Sequence, residues 1–200
     1  MAGLEPVTLT GRCVRLEPLT LAHAPALAAA GLAPELWRWI PTPVTTAAEM
    51  EAWVRTALEE QRRGIALPFA IVDLAGGAVI GSTRYANLAI AEGRLEIGWT
   101  WITPAFQRTP ANTEAKLLLL THAFEVLRLN RVEFKTDALN EQSRRALGRI
   151  GAVEEGVFRR HRITASGRVR DTVYFSIIRE EWPQARARLR AMLERRPGGS

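Results

Sequence analysis

The chain has 200 residues, 27 of them basic and 21 acidic, for a formal net charge of +6, with 47% hydrophobic and 24% charged residues. This composition excludes the disordered and collagen-like classes, and a chain of this length can bury about 70% of the surface its unfolded form exposes. One domain over residues 1–200 is expected, with a core from about 5 to 180, a C-terminal helix over 181–196 and a tail over 197–200.

No apolar run approaches the roughly 20 residues of a bilayer crossing. Met1 to Glu5 has neither the basic nor the apolar region of a secretory signal, and Cys13 has no second cysteine to pair with. A soluble chain in a reducing cytoplasm, without a membrane partner, is expected. The scattered His23, His122 and His161 with one cysteine do not make a zinc set, so no metal is expected. All basic residues except Lys116 and Lys135 are arginine, which stays charged at any working pH. The excess reads either as codon bias or as a sign of a polyanionic partner such as nucleic acid, the ribosome or a phosphorylated cofactor.

In chain order, Val7 to Thr10 and Cys13 to Glu17 read as a hairpin or bulged strand broken by Gly11. Leu21 to Ala30 reads as a helix ending at Gly31. Pro34 to Pro43 reads as a short helix or loop in which Trp37 and Trp39 are aromatic anchors. Thr46-Ala-Ala-Glu49 is a capping box, and Met50, Trp53, Val54, Ala57 and Leu58 continue it as an amphipathic helix to about Arg63. Pro68 to Asp73 and Ala78 to Leu88 form a hairpin through Gly76-Gly77. Arg94 to Ile102 is a strand with Leu95, Ile97, Trp99 and Trp101 expected on one face and Glu96, Gly98 and Thr100 on the other.

Asn112 to Leu127 reads as a helix buried around much of its circumference. Arg131 to Thr136 is a strand, and Glu141 to Ile150 is a helix capped by Asn140 and ended by Gly151. Val153 to Ile163 and Arg168 to Ile178 form a last hairpin, followed by a helix from about Glu180 to Arg195 and the tail Pro197-Gly-Gly-Ser200. The order predicts an α+β fold with a mixed, mostly antiparallel sheet, whose one parallel crossover runs from Arg94 to Thr136.

Chemistry concentrates around that crossover. The turn from Thr103 to Thr113 enters a helix, where free backbone N–H groups and the positive end of the helix dipole attract anions, and Arg108 adds charge. Glu96 precedes it with small neighbours. Burial raises a carboxylate's proton affinity, which suits it to take a proton near neutrality; a salt bridge to an arginine is the structural alternative. In Asp137-Ala-Leu-Asn140-Glu-Gln-Ser143 a second strand end meets a helix start, although capping alone explains Asn140.

The ordered set Leu95-Glu-Ile-Gly-Trp99, Pro104, Gln107 to Lys116, Leu129-Asn-Arg-Val-Glu133, Asp137-x-x-Asn140-x-x-Ser143, Ile150-Gly151 and Glu154-Glu-Gly156 resembles the general N-acetyltransferase (GNAT) superfamily. Its branch of RimJ/RimL-type ribosomal-protein N-terminal acetyltransferases is the nearest. The opening Leu9-x-Gly-x-x-Val14-Arg-Leu-Glu-Pro-Leu19 and the closing Arg170-Asp171 to Phe175-Ser176 extend the resemblance over about residues 5 to 180.

The resemblance implies a twisted sheet whose splayed central strands form a cleft for acetyl-CoA, and transfer of the acetyl group to a primary amine, plausibly a protein or peptide N-terminus. It assigns cofactor contacts to Trp101, Ile102, Gln107, Arg108, Thr109, Ala111, Asn112, Thr113, Asn140 and Ser143. It makes Ser143 the acid for the departing thiolate, and either Glu96 or Glu155 the base. No covalent enzyme intermediate is needed. The family's pyrophosphate loop reads Q/R-x-x-G-x-G/A, whereas this chain has Gln107-Arg-Thr-Pro110-Ala-Asn112. Pro110 removes a backbone donor. Asn112 is expected to cap the helix in compensation, with Thr109, Thr113 and Lys116 adding donors or charge.

Two other readings stand beside the enzyme. The altered loop fits a non-catalytic acyl-CoA-binding protein. The run from Arg159 to Arg170 holds five arginines and no acid, as in an RNA- or ribosome-associated module, although it lacks interleaved aromatics. Those arginines, with Arg108, are equally candidates for the CoA phosphates or an acidic acceptor, so nucleic acid is not expected as the main partner. Trp37, Trp39 and the C-terminal helix could support a homodimer.

Overall fold

The computed structural model describes residues 4–40 and 42–194; Arg195 and the tail from Pro197 lie outside them. The elements follow the expected order: β1 (Leu9–Thr10), β2 (Val14–Pro18), α1 (Ala24–Gly31), α2 (Ala47–Arg62), β3 (Ala66–Asp73), β4 (Val79–Ala89), β5 (Arg94–Ile102), α3 (Pro110–Thr121), β6 (Arg131–Asp137), α4 (Glu141–Ile150), β7 (Val153–Ile163), β8 (Val169–Ile178) and α5 (Trp182–Glu194). They build one eight-stranded sheet in the order β1-β2-β3-β4-β5-β6-β8-β7, an α+β fold in which only β5 and β6 pair in parallel. Among the described residues no helix is long and apolar enough to cross a membrane.

Local signals set several boundaries as expected. Thr46 caps α2 by accepting from the Glu49 amide at 3.2 Å, and the Glu49 carboxylate returns to the Thr46 amide. Gly151 ends α4 at φ +96°, a conformation a Cβ disfavours.

The sheet's two faces are covered unequally. One side packs its apolar residues, among them Leu95, Ile97, Val132, Phe134 and Phe175, against α3 and α5 over the whole sheet. On the other, α1 and α2 bury a cluster of Leu27, Trp37, Met50, Trp53, Val54 and Trp101 above β3 to β5. That cluster takes no residue from β6, β8 or β7. The uncovered stretch carries Glu133, Lys135 and Asp137, which alternate along β6 with the buried Val132 and Phe134.

Strand β5 departs from simple alternation. Gly98 pairs with Arg84 and Trp101 with Ser82, so Trp99 and Thr100 together oppose Thr83, and Trp99 takes φ +49°. This bulge inverts the faces beyond it. Leu95 and Ile97 join the α3 core as expected, but Trp101 packs with Trp37 at 5.6 Å on the α1–α2 side. Thr100 turns to α3, where it receives the Lys116 ammonium at 2.8 Å. Glu96 therefore shares its face with Gly98 but not with Thr100.

Helix α3 begins two residues before the expected Asn112, because Thr109 is the cap and Pro110 the first helical residue. Proline suits that position, where its missing N–H would have no helical partner. The last turn widens into a π-helical segment, His122–Val126. Trp37 is 3% exposed and Trp39 half-buried, so Trp37 is a packing residue and not the exposed surface expected for a dimer contact.

Candidate active site

Strands β5 and β6 pair only as Arg94 with Arg131, Leu95 with Val132 and Glu96 with Glu133. Beyond that rung they part, while β6 stays paired with β8 to Asp137. From Ile97 onward β5 has a ladder partner on one side alone, so its backbone groups facing the gap are free to bind a ligand. Because the strands are parallel, the two loops singled out in the sequence, after Ile102 and after Asp137, leave from the same end of the gap.

The first loop is an anion cradle. Gln107 donates from Nε2 to the Ile102 carbonyl at 3.2 Å, tying the loop to the strand end. Arg108 takes φ +61°. The Thr109 hydroxyl donates to the Phe106 carbonyl at 2.7 Å and accepts from the Ala111 amide at 3.3 Å. The amides of Arg108, Thr109 and Asn112 make no hydrogen bond among the described residues. They belong to the loop and first turn at the positive end of α3, where Arg108 is exposed and pairs with no acid among the described residues. Asn112 lies inside the first turn, with a buried Oδ1 that has no partner. Lys116 is buried and directed at Thr100, so it adds no charge to the cradle.

The start of α3 is held by a contact the sequence reading missed. Glu114, 4% exposed, accepts the amides of Arg12, Cys13 and Val14 at 2.7–2.8 Å. Burial alone would raise its pKa, but these bonds and the Cys13 thiol outweigh it and the pKa is lowered. A Cβ at Gly11 would stand 2.4 Å from the Glu114 carboxylate, which is why glycine breaks the first hairpin. Cys13 beside it has its pKa pushed up to about 12, chiefly by burial, so its thiol is a poor nucleophile.

At the second loop the Asn140 side-chain oxygen caps α4 by accepting from the Ser143 amide at 3.0 Å. The Asn140 NH2 and the half-buried Ser143 hydroxyl make no hydrogen bond among the described residues.

The two acidic candidates differ in setting. Glu96 lies at the rung where the strands part, 4% exposed. Its Oε2 accepts from Asn87 Nδ2 at 2.5 Å and lies 2.8 Å from the Lys135 ammonium. A Cβ at Gly98 would come within 3.0 Å of Oε1, so the glycine leaves space beside an oxygen that has no partner among the described residues. Glu155 is exposed on β7. It is gripped bidentately by Arg131, takes a 2.8 Å bond from Ser176, and has its pKa lowered, mainly by Arg131. Lys135 also stands 3.8 Å from Glu133 and over the Tyr174 ring at 4.9 Å. Four charged residues, Arg131, Glu133, Lys135 and Asp137, at alternate positions of a strand otherwise made of Val132, Phe134 and Thr136 were the signal for this wall. Among the described residues no group of His, Cys, Asp and Glu could hold a metal ion.

Comparison with known proteins bears on this geometry. A sequence model of the acetyltransferase (GNAT) domain family matches residues 14–153. A crystal structure of a GCN5-related N-acetyltransferase from Brucella melitensis is 37% identical, with TM-score 0.88 over 96% of this chain and 87% of that one. Mycobacterium smegmatis RimJ in complex with CoA-disulfide is 28% identical, with TM-score 0.81 over 94% of this chain and 95% of that one. A Bacillus subtilis protein named "Putative ribosomal N-acetyltransferase YdaF" is 38% identical over 106 residues, 53% of this chain and 57% of that protein's length.

Proposed function

The chain belongs to the GNAT acetyltransferase domain family, and from that premise we propose that it transfers an acetyl group from acetyl-CoA to a primary amine, with a protein or peptide N-terminus as acceptor. The observation that carries the reading is the gap between β5 and β6, with free amides at one end and Glu96 at its origin. The ribosomal N-acetyltransferase named among the relatives, and RimJ among the structures, support a protein N-terminus as acceptor.

The cradle fits the cofactor's pyrophosphate: three unbonded amides, a helix N-terminus and Arg108 offer donors and positive charge to an anion. Pro110 withdraws one donor, and Thr109, by capping the helix, leaves the neighbouring amides oriented outward. The unpaired edge of β5 through Trp101 and Ile102, with the Asn140 NH2, supplies the groups for the pantetheine amides. When bound, acetyl-CoA supplies a thioester carbonyl open to attack by an amine.

Glu96 takes the proton from the incoming ammonium through Oε1, directly or by way of a water, since a protonated amine cannot attack. Asn87 and Lys135 hold its other oxygen and leave this one beside Gly98. When acetyl-CoA is bound, the new N–C bond would form as the C–S bond breaks; the Ser143 hydroxyl gives its proton to the departing thiolate and is restored by the proton that the new amide nitrogen loses, while Glu96 releases its own to solvent. Glu155 serves instead to pin Arg131 beneath the wall. The test is release of CoA thiol from acetyl-CoA in the presence of N-terminally free peptides, with the acetylated amine identified by mass spectrometry. Peptide acetylation is expected. Tight acetyl-CoA binding without turnover of any amine would favour the non-catalytic acyl-CoA-binding reading.

A further inference from the structure

Between the Trp37–Pro43 segment and the β7–β8 hairpin lies a cavity of about 400 Å³, floored by Asp137 at the end of β6. This size suits one or two amino-acid residues. Asp137 shares a face with Lys135, which holds Glu96, and stands two residues further on, about 7 Å along the strand. The cavity therefore opens on the face turned away from α3, toward the amine and not the cofactor phosphates. That removes the last hairpin's arginines from the candidates for CoA phosphate contacts.

Its lining is unbalanced in charge. Arg38, Arg162, Arg168 and Arg170 face a single acid, Asp137. Asp137 is already committed, its Oδ2 to Arg168 and, at 3.8 Å, to Arg170, and its Oδ1 to the Leu139 amide at 3.0 Å. Arg38 and Arg162 pair with no acid among the described residues. Arg170 is 8% exposed, yet its Nε, the atom 3.8 Å from Asp137, makes no hydrogen bond among the described residues. Its pKa is lowered, first by burial and then, against the pull of Asp137, by Arg162 and Arg168. Arg38 and Arg168 lie near the faces of the Trp39 ring, at 4.8 and 5.8 Å, which keeps the cations against an apolar wall. A buried donor without a hydrogen-bond acceptor, beside two arginines, Arg38 and Arg162, that pair with no acid among the described residues, suits an anion.

We propose that this cavity selects acceptors carrying a carboxylate within two residues of the reactive amine, from an acidic side chain or a chain end. The inference rests on the acetyl-transfer reading for the identity of the amine but not for the binding. Guanidinium forks of Arg162 and Arg170 take the carboxylate, and Asp137 holds Arg168 in place.

The test is calorimetric binding, in the presence of CoA, of the tripeptide amides Ser-Asp-Ala and Ser-Asn-Ala and of Ser-Ala with a free carboxyl end, alongside acetyl-transfer assays. The aspartate peptide should bind on the order of tenfold more tightly than its asparagine counterpart, less so at high salt. The preference should fall below about twofold in the Arg38→Gln/Arg162→Gln double variant. Binding of Ser-Ala on a par with the aspartate peptide assigns the carboxylate to the chain end and meets the proposal. Equal affinities for the two amides in the unmodified protein, or an undiminished preference in the double variant, overturn it. Transfer to both amides with equal affinities would remove this inference and leave the acetyltransferase; an intact preference with no transfer would do the reverse.

Discussion

The two faces of the central strands handle charge in opposite ways. On the α3 face, Glu114 is saturated by three amides, and Lys116 meets only the Thr100 hydroxyl, itself 2.8 Å from Thr83. On the other face, uncovered by helix beyond β5, Glu96 keeps one free oxygen, and the arginines around Asp137 outnumber their acids. Glu114 fastens α3 to the sheet; unpaired charge lies on the face where the proposed acceptor would enter.

The largest expected effect lies on the satisfied side. Glu114→Ala strands three amides and releases α3 from the β1–β2 turn, and should cost about 3 kcal/mol in denaturant unfolding. A loss below about 1 kcal/mol would break the contrast between the faces. Next comes Lys116, whose pKa burial pushes down to about 7 from 10.5. Between those values the unfolded chain holds the proton and the folded one does not, so stability rises with pH across that window. Below pH 7 both states are protonated and the full cost of burying the ammonium is felt. Lys116→Met should raise stability near pH 6 by about 1–2 kcal/mol and flatten the slope, as read from melting curves over pH 6–10. Smallest is Thr109→Ala, which removes the α3 cap at about 1 kcal/mol and should weaken acetyl-CoA binding severalfold in calorimetry. Unchanged affinity would mean the cap does not organise the cradle.

Much of the fold was legible because its signals are local. Capping residues Thr46 and Asn140, the terminator Gly151 and the alternating strands are each read within a few positions, and the parallel crossover follows from one strand-helix-strand run. The bulge was not, because a tryptophan at positive φ leaves no mark in composition, and Trp99, Thr100 and Trp101 were assigned to the wrong face. The cap fell on Asn112 instead of Thr109 because both are capping residues, and only the loop's path distinguishes them. Glu155 looked equivalent to Glu96 because Arg131, its partner, lies 24 residues away in sequence. The cavity was invisible for the same reason: Asp137, Trp39 and the hairpin arginines meet only in the folded chain.

The claim that the free oxygen of Glu96 does the chemistry is tested most directly by steady-state acetyl transfer in Glu96→Gln beside Glu155→Gln. Glu96→Gln should lose at least about a hundredfold in kcat while keeping its acetyl-CoA affinity, and Glu155→Gln should stay within about threefold of the unmodified protein. Turnover by Glu96→Gln at the unmodified rate, or a collapse confined to Glu155→Gln, would contradict it.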